Sequence, residues 1–300
     1  MLMSRIPFDL AETLAAVVDE GTLDAAARHL HITPSAVSQR VKTLEEQLGR
    51  VLLVRSRPVR ATEAGAAVIR LARQAALLEY DTLAELGEDP AGGARTSVPL
   101  AVNADSLATW FLEPLARLSE RHPIVFDLHR DDQDFTAGLL ESGTVMGAVT
   151  SRRAPVAGCR VSALGAMRYE AVATPAYVER WLSGDRSGIL AGAPLVDFDR
   201  RDDLQNVWLS AQGVDPATVQ RHYVPASNDF ATAVKRGLGW AMLPRFQSHE
   251  ALERGELVLL GGAPVDVALY WQQWNLRSPL LDAIAEEIVS EARRVLAPLS

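Results

Sequence analysis

Between Thr22 and Leu48 the sequence describes two short helices and the tight turn that joins them. Upstream, Phe8, Leu10, Leu14, Val17 and Val18 recur at spacings that bury one face of a first helix. Gly21-Thr22 stops it, and Thr22 is placed to cap a second helix, Leu23 to Leu30. After a break at His31-Ile32, Thr33 can cap a third helix whose first turn tolerates Pro34, because that proline's missing N–H has no partner there anyway. This third helix runs from about Pro34 to Leu48. Val37, Val41, Leu44 and Leu48 share one face, and Ser35, Ser38, Gln39 and Lys42 share the other. Small Ala26 and Ala27 stand where two helices must approach closely, and the unit reads as a helix-turn-helix.

Charge separates this reading from a plain amphipathic hairpin. The chain carries a formal −8 over 300 residues, which taken as an average argues against nucleic acid. The distribution argues the opposite. Arg28, Arg40, Lys42, Arg50, Arg55, Arg57 and Arg60 stand against Glu45 and Glu46, a balance of +5 that leaves −13 for the remainder. A basic module on an acidic body fits a nucleic-acid reader with a separate second function. Thr33, Pro34, Ser35, Ser38, Gln39 and Lys42 mark the end of the third helix that would enter a major groove, with hydroxyls, an amide and a cation for base edges and phosphates. Val51–Val54 and Val59–Thr62 read as two short strands around a basic tip, a wing from which Arg55 and Arg57 reach phosphates or the minor groove.

The run LDAAARHLHITPSAVSQRVKTLEEQLGRVLLVRSRPVRATEAG resembles the signature of the LysR-type transcriptional regulators, although His31 stands where many helix-turn-helix proteins place a turn glycine. The resemblance implies a mainly α winged helix-turn-helix, a long linker helix, and an α/β effector domain of two subdomains similar to periplasmic solute-binding proteins. The resulting boundaries are 1–62 for the reader, 63–95 for the linker and hinge, and 96–300 for the effector domain. Within that domain, subdomain I takes about 96–168 and 266–300, and subdomain II about 169–265. Further segments, NADSLATWFLEPLA, DDQD, GAVTS and SNDFATAVKRGLGWAMLP, resemble the ArgP/LysG branch, which responds to lysine or arginine and controls export of basic amino acids.

The residues support that organisation. From Thr62 to about Leu86, Ala64, Val68, Leu71, Ala75 and Leu78 alternate by four and three, the spacing of a coiled-coil seam. Self-association along it would set two reading heads side by side for a two-fold operator; packing on the chain's own body is the alternative. GEDPAGGAR, 87–95, is a breaker-rich hinge. Beyond it, strand candidates (Val98–Val102, Ile124–Leu128, Val145–Val149, Tyr169–Ala173, Leu195–Phe198, Val267–Trp271) alternate with helical ones (Ser106–Arg121, Phe135–Glu141, Ala176–Leu182, Phe230–Arg236, Leu280–Leu296). Alternation of this kind predicts parallel sheets covered by helices.

In such sheets a ligand lies beyond the carboxyl ends of strands. Asn103, Asp105 and Ser106 follow one strand, Thr150 ends another, and Asp229 opens a helix. An amino acid's carboxylate suits free N–H groups helped by Ser106 and Thr150, while its cations suit Asp105, Asp132, Asp134 and Asp229. Asp105, Asp134 and Asp229 also stand where an N-cap is expected, which explains an aspartate without any ligand. Trp110, Trp240 and Trp271 read as core or cleft wall.

Enzyme signatures are missing: there is no G-x-S-x-G elbow, phosphate-binding loop or H-E-x-x-H, and the single cysteine, Cys159, reads as a small buried residue. No cofactor or metal is expected, since His29 and His31 fall on different helix faces. The N-terminus lacks a signal-peptide layout and no apolar run reaches membrane-spanning length, so the expectation is a cytoplasmic protein with no membrane partner. The expected partners are double-stranded DNA, L-lysine or L-arginine as effector, and further copies of the chain as a dimer or dimer of dimers. RNA polymerase is a candidate. Two other readings stay open: a regulator answering to another metabolite, and an amino-acid-binding protein whose helix-turn-helix only docks it.

Overall fold

Three threonine caps set out the first third of the molecule. The computed structural model describes residues 6–88, 95–130, 136–182 and 190–299. Helix α1 spans Phe8–Asp19, α2 Leu23–His29, α3 Pro34–Leu48 and α4 Glu63–Glu85. The Thr22 hydroxyl accepts the Ala25 N–H at 3.1 Å, Thr33 that of Ala36 at 3.2 Å, and Thr62 that of Gly65 at 3.0 Å. Each satisfies one of the orphan donors at a helix start. Gly49, left-handed at φ 62°, ends α3.

Leu14, Val17, Ala26, Val37, Leu44 and Leu52 form the head's core. The wing strands are shorter than the sequence predicts: β1 is Leu53–Val54 and β2 is Arg60–Ala61, paired antiparallel. Their neighbours bond elsewhere. Leu52 N–H donates to Glu45 Oε1 at 2.7 Å, and the Thr62 hydroxyl donates to the Val51 carbonyl at 2.8 Å.

At 1.5 Å per residue, α4 is about 35 Å long. Its first half gives Val68, Ile69 and Ala72 to the head's core, and its second half gives Leu77 and Tyr80 to the body's. Of the predicted seam, Val68 is therefore turned inward, while Leu71 and Leu78 each stay 41% exposed.

The body begins with β3 (Thr96–Val102), α5 (Ala104–Thr109), α6 (Leu112–Arg121), β4 (Ile124–Arg130), α7 (Thr136–Glu141) and β5 (Gly147–Thr150). The single helix predicted over 106–121 is broken at Trp110-Phe111. Both rings are buried there and meet edge to face at 5.6 Å. Next come β6 (Cys159–Ala173), α8 (Pro175–Trp181), β7 (Leu195–Asp197), α9 (Leu204–Ala211) and β8 (Arg221–Tyr223). The chain finishes with α10 (Ser227–Lys235), β9 (Ala241–Pro244), α11 (Arg245–Glu253), β10 (Val258–Leu259), β11 (Val265–Trp274) and α12 (Pro279–Val295).

The predicted parallel arrangement holds only locally. β3 is parallel to β4 and β5, and β7 to β8, but β11 runs antiparallel to β5 and β6, and β6 antiparallel to β9 and β10. The cause is connectivity. β6 pairs with β11 along Cys159–Tyr169 and with β9 along Tyr169–Val172, so it runs out from the β3–β4–β5 lobe into the β7–β10 lobe. β11 is the return, and a return beside its own outgoing strand is antiparallel. Gly165 lies on this crossing at φ 142°, where a Cβ would stand 2.8 Å from the Ala297 carbonyl oxygen.

Candidate functional site

The exposed face of α3 carries Ser35, Ser38, Gln39 and Lys42, with Thr33 and Pro34 exposed at its start. Thr33 is partly committed, since its hydroxyl caps the helix and lies 3.0 Å from that of Ser35. The Gln39 amide donates to Thr43 at 3.4 Å, and Lys42 Nζ is 3.6 Å from Glu46. An exposed pair of this kind is worth about 0–1 kcal/mol, so Lys42 is easily released to a phosphate. Arg40 differs: its guanidinium turns inward to donate to the Thr13 hydroxyl at 3.2 Å and ties α3 to α1. Arg55 and Arg57 are exposed on the loop between β1 and β2. His31, in the turn before α3, holds the left-handed conformation at φ 54°.

The second group of residues lies where the two lobes meet. β3 and β5 are adjacent and parallel, in a register that puts Leu100 level with Gly147 and Ala101 with Ala148. Continued three residues, this brings Asn103 level with Thr150, both buried at the strand ends. Asn103, Asp105 and Ser106 share the start of α5.

Asp105 does not cap that helix. Asn103 holds the cap position, without a side-chain hydrogen bond, and the Asp105 carboxylate turns toward the other lobe instead. Tyr169, at the crossing of β6, donates its hydroxyl to Asp105 Oδ2 at 2.7 Å; Ser227, first residue of α10, donates to Oδ1 at 2.6 Å. Gln247 of α11 donates in turn to the Ser227 hydroxyl at 3.0 Å. Burial, and then the Asp105 charge, push the Tyr169 hydroxyl well above the ordinary tyrosine range. It therefore stays a donor at neutral pH.

Nor does Asp229 cap α10. The cap is Ala226, and the helix starts early enough to leave Asp229 exposed in its first turn. Asp132 and Asp134 lie outside the described residues. Of the two described aspartates singled out in the sequence, Asp105 is the one hydrogen-bonded between the lobes. Three buried polar atoms on residues flanking it or joined to it through Ser227 have no hydrogen-bond partner: Asn103 Oδ1, Ser106 Oγ and Gln247 Oε1. Buried polar groups are normally paired, and orphans of this kind are what a site complementary to a polar molecule presents.

Tyr169 and Gln247 escaped sequence reasoning. Ser227 stood in the segment SNDFATAVKRGLGWAMLP but carried no role of its own. Trp110, Trp240 and Trp271 are all core residues. Cys159 is half-buried, and burial pushes its thiol up to about 11, which withholds the thiolate that nucleophilic chemistry needs. Among the described residues, no group of three or more His, Cys, Asp or Glu side chains could hold a metal. No helix among them is long and apolar enough to cross a membrane.

A winged helix-turn-helix joined by one long helix to a two-lobed α/β body, with a polar site between the lobes, defines a one-component regulator: one chain with a DNA reader and a sensor. Residues 8–66 match the family of bacterial regulatory helix-turn-helix proteins, lysR family, and residues 91–293 match the LysR substrate binding domain. The chain belongs to the LysR family of transcription regulators. It is 39% identical over 290 residues, 96% of this chain and 98% of the relative, to the lysine export transcriptional regulatory protein LysG of Corynebacterium glutamicum. The crystal structure of ArgP from Mycobacterium tuberculosis superposes with a TM-score of 0.84 at 42% identity, covering 100% of both chains. Full-length LysG from Corynebacterium glutamicum with bound effector Arg superposes with a TM-score of 0.77 at 37% identity, covering 98% of this chain and 100% of that one.

Proposed function

We propose that this regulator senses lysine or arginine between its lobes and controls a gene for export of basic amino acids. The observation that carries the reading is Asp105. Both of its oxygens are held by neutral hydroxyls, so its charge has no cation in this set of hydrogen bonds. Asn103 Oδ1, two residues before it, and Gln247 Oε1, on the side chain bonded to Ser227, are buried acceptors without donors. A site rich in acceptors and negative charge suits a ligand rich in donors and positive charge, as an ammonium or guanidinium is. Ser106 and Thr150 supply hydroxyls for the ligand's carboxylate. The arginine in the related LysG structure and the lysine export role in its name support the same chemistry here.

The reader in this proposal is α3, with Ser38 and Gln39 on base edges and Lys42, Arg55 and Arg57 on phosphates. Thermal unfolding against a panel of amino acids, with operator footprinting beside it, tests the whole. A ligand at a hundred times its dissociation constant adds about 2.7 kcal/mol to native stability. Lysine or arginine should raise the melt and alter the footprint, and Asp105→Asn should abolish both responses while leaving DNA binding intact. If neither amino acid moves the melt or the footprint of a protein that still binds DNA, the effector assignment is wrong.

A further inference from the structure

The β7–β10 lobe holds an open pocket of about 550 Å³, within the range of small-ligand sites. β7 and β8 are parallel, so both end at its floor, and the first turn of α9 and the turn at Pro216–Thr218 form its walls. Asp197, Arg200, Asp202, Asn206, Arg221 and Tyr223 supply its polar lining. None of the residues that bind Asp105 between the lobes takes part.

Its charges are unevenly committed. Arg221 is spent: it donates to Asp197 Oδ2 at 2.5 Å, to Asn206 Oδ1 at 2.7 Å and to the Pro216 carbonyl at 2.7 Å. Asp197, only 1% exposed, keeps its other oxygen, Oδ1, buried and without a partner. Asp202 takes its hydrogen bonds from neutral donors, the N–H groups of Phe198 and Leu204 and the Gln205 amide. Burial, and to a lesser degree the neighbouring Asp197 charge, push its carboxyl above the usual range. Asp197 and Asp202 thus line the pocket, with Arg221 already paired to Asp197 between them. At the rim, Arg200 is exposed and its guanidinium is stacked 4.8 Å from the Tyr223 ring centre.

We propose that this pocket is a second ligand site, separate from the one between the lobes, for a free amino acid with a cationic side chain. The ligand's two cationic groups face Asp197 Oδ1 and Asp202, and its carboxylate faces Arg200. A side chain without a cationic donor would leave Asp197 Oδ1 the buried, unpartnered acceptor it now is. Arg200 moves easily to this task because its present partner is a ring rather than an acid.

Calorimetric titration of the full-length protein with L-arginine and with L-lysine tests the proposal. The wild type should take up two equivalents per chain. Arg200→Ala, an exposed rim change, and Asp202→Asn should each weaken one of them at least tenfold and leave the other. Asp105→Asn should remove the other and spare this one. A single equivalent that Arg200→Ala and Asp202→Asn leave untouched overturns the second site; should Asp202→Asn fail to fold, Arg200→Ala alone decides. A single equivalent lost in Arg200→Ala and retained in Asp105→Asn upholds this pocket and sinks the inter-lobe reading instead.

Discussion

His31 occupies the turn between α2 and α3 at φ 54°, a conformation that glycine adopts freely and other residues do not. The left-handed region costs an L-residue roughly 1–2 kcal/mol, and glycine gives back part of that through its looser unfolded chain. His31→Gly is therefore expected to stabilise the protein by about 0.5–1 kcal/mol in urea unfolding. Unchanged or lower stability would mean that the imidazole makes a compensating contact. On the reading face, Gln39 and Lys42 are separable by salt. Lys42→Ala should weaken binding evenly across DNA sequences and lower the salt slope by about 1, as loss of one phosphate contact requires. Gln39→Ala should keep the slope and relax discrimination at one base pair by about 1–3 kcal/mol. Equal effects of the two variants on specificity would show that the assignment of base and phosphate roles is wrong.

Among the elements, α4 has a face that neither core covers. Leu71 and Leu78, each 41% exposed and two turns apart, lie on one side of a helix whose opposite side serves two cores. A second copy of the same helix is the partner expected there. Leu71→Glu combined with Leu78→Glu should give a monomer by light scattering, with its melt little changed because neither leucine is in a core. A variant that stays dimeric at the wild-type concentration would place the interface elsewhere. Leu71 and Leu78 were legible in the sequence because heptad spacing is local, although Val68 of the same predicted seam packs into the head. The caps Thr22 and Thr33 were legible too, since they bond N–H groups three residues away; the same role of Thr62 was missed. Elements shaped by distant partners were not legible. The first part of β6 (Cys159–Arg168) alternates poorly and becomes a strand because β11, about a hundred residues later, lies beside it. The helix break at Trp110-Phe111 answers to a core that no local pattern announces. In the candidate site, Asn103, Ser106 and Thr150 could be placed at or just after strand ends. Asp105 looked like a cap because the hydroxyls that draw it away, on Tyr169 and Ser227, come from elements 64 and 122 residues further on.

At the scale of the whole molecule, a sensor can govern a reader only through parts that touch both, and Arg73 is such a part. Its guanidinium donates to the Gly143 carbonyl in the sensor's first lobe and to Asp19 at the end of α1, while neighbouring Arg70 donates to the Glu141 carbonyl. Gly143 is left-handed at φ 74°, and a Cβ there would lie 2.6 Å from that of Arg70, so helix and loop are in close contact. The loop leads directly into β5, whose last residue, Thr150, lies level with Asn103. A ligand that shifts the end of β5 therefore has a short mechanical path to α4 and to the base of the reading head. Coupling of this kind is a free energy shared by two sites and must be reciprocal. Arg73→Ala should keep the melting shift caused by effector and keep basal operator affinity within a few-fold. The factor by which effector changes operator affinity should fall toward one, and the factor by which operator changes effector affinity should fall equally. If Arg73→Ala retains the wild-type factor in both directions, the signal passes by another route, and the next contact to break is the hydrogen bond from the Leu280 N–H to Asp81, which ties α4 to the start of α12 at 3.2 Å.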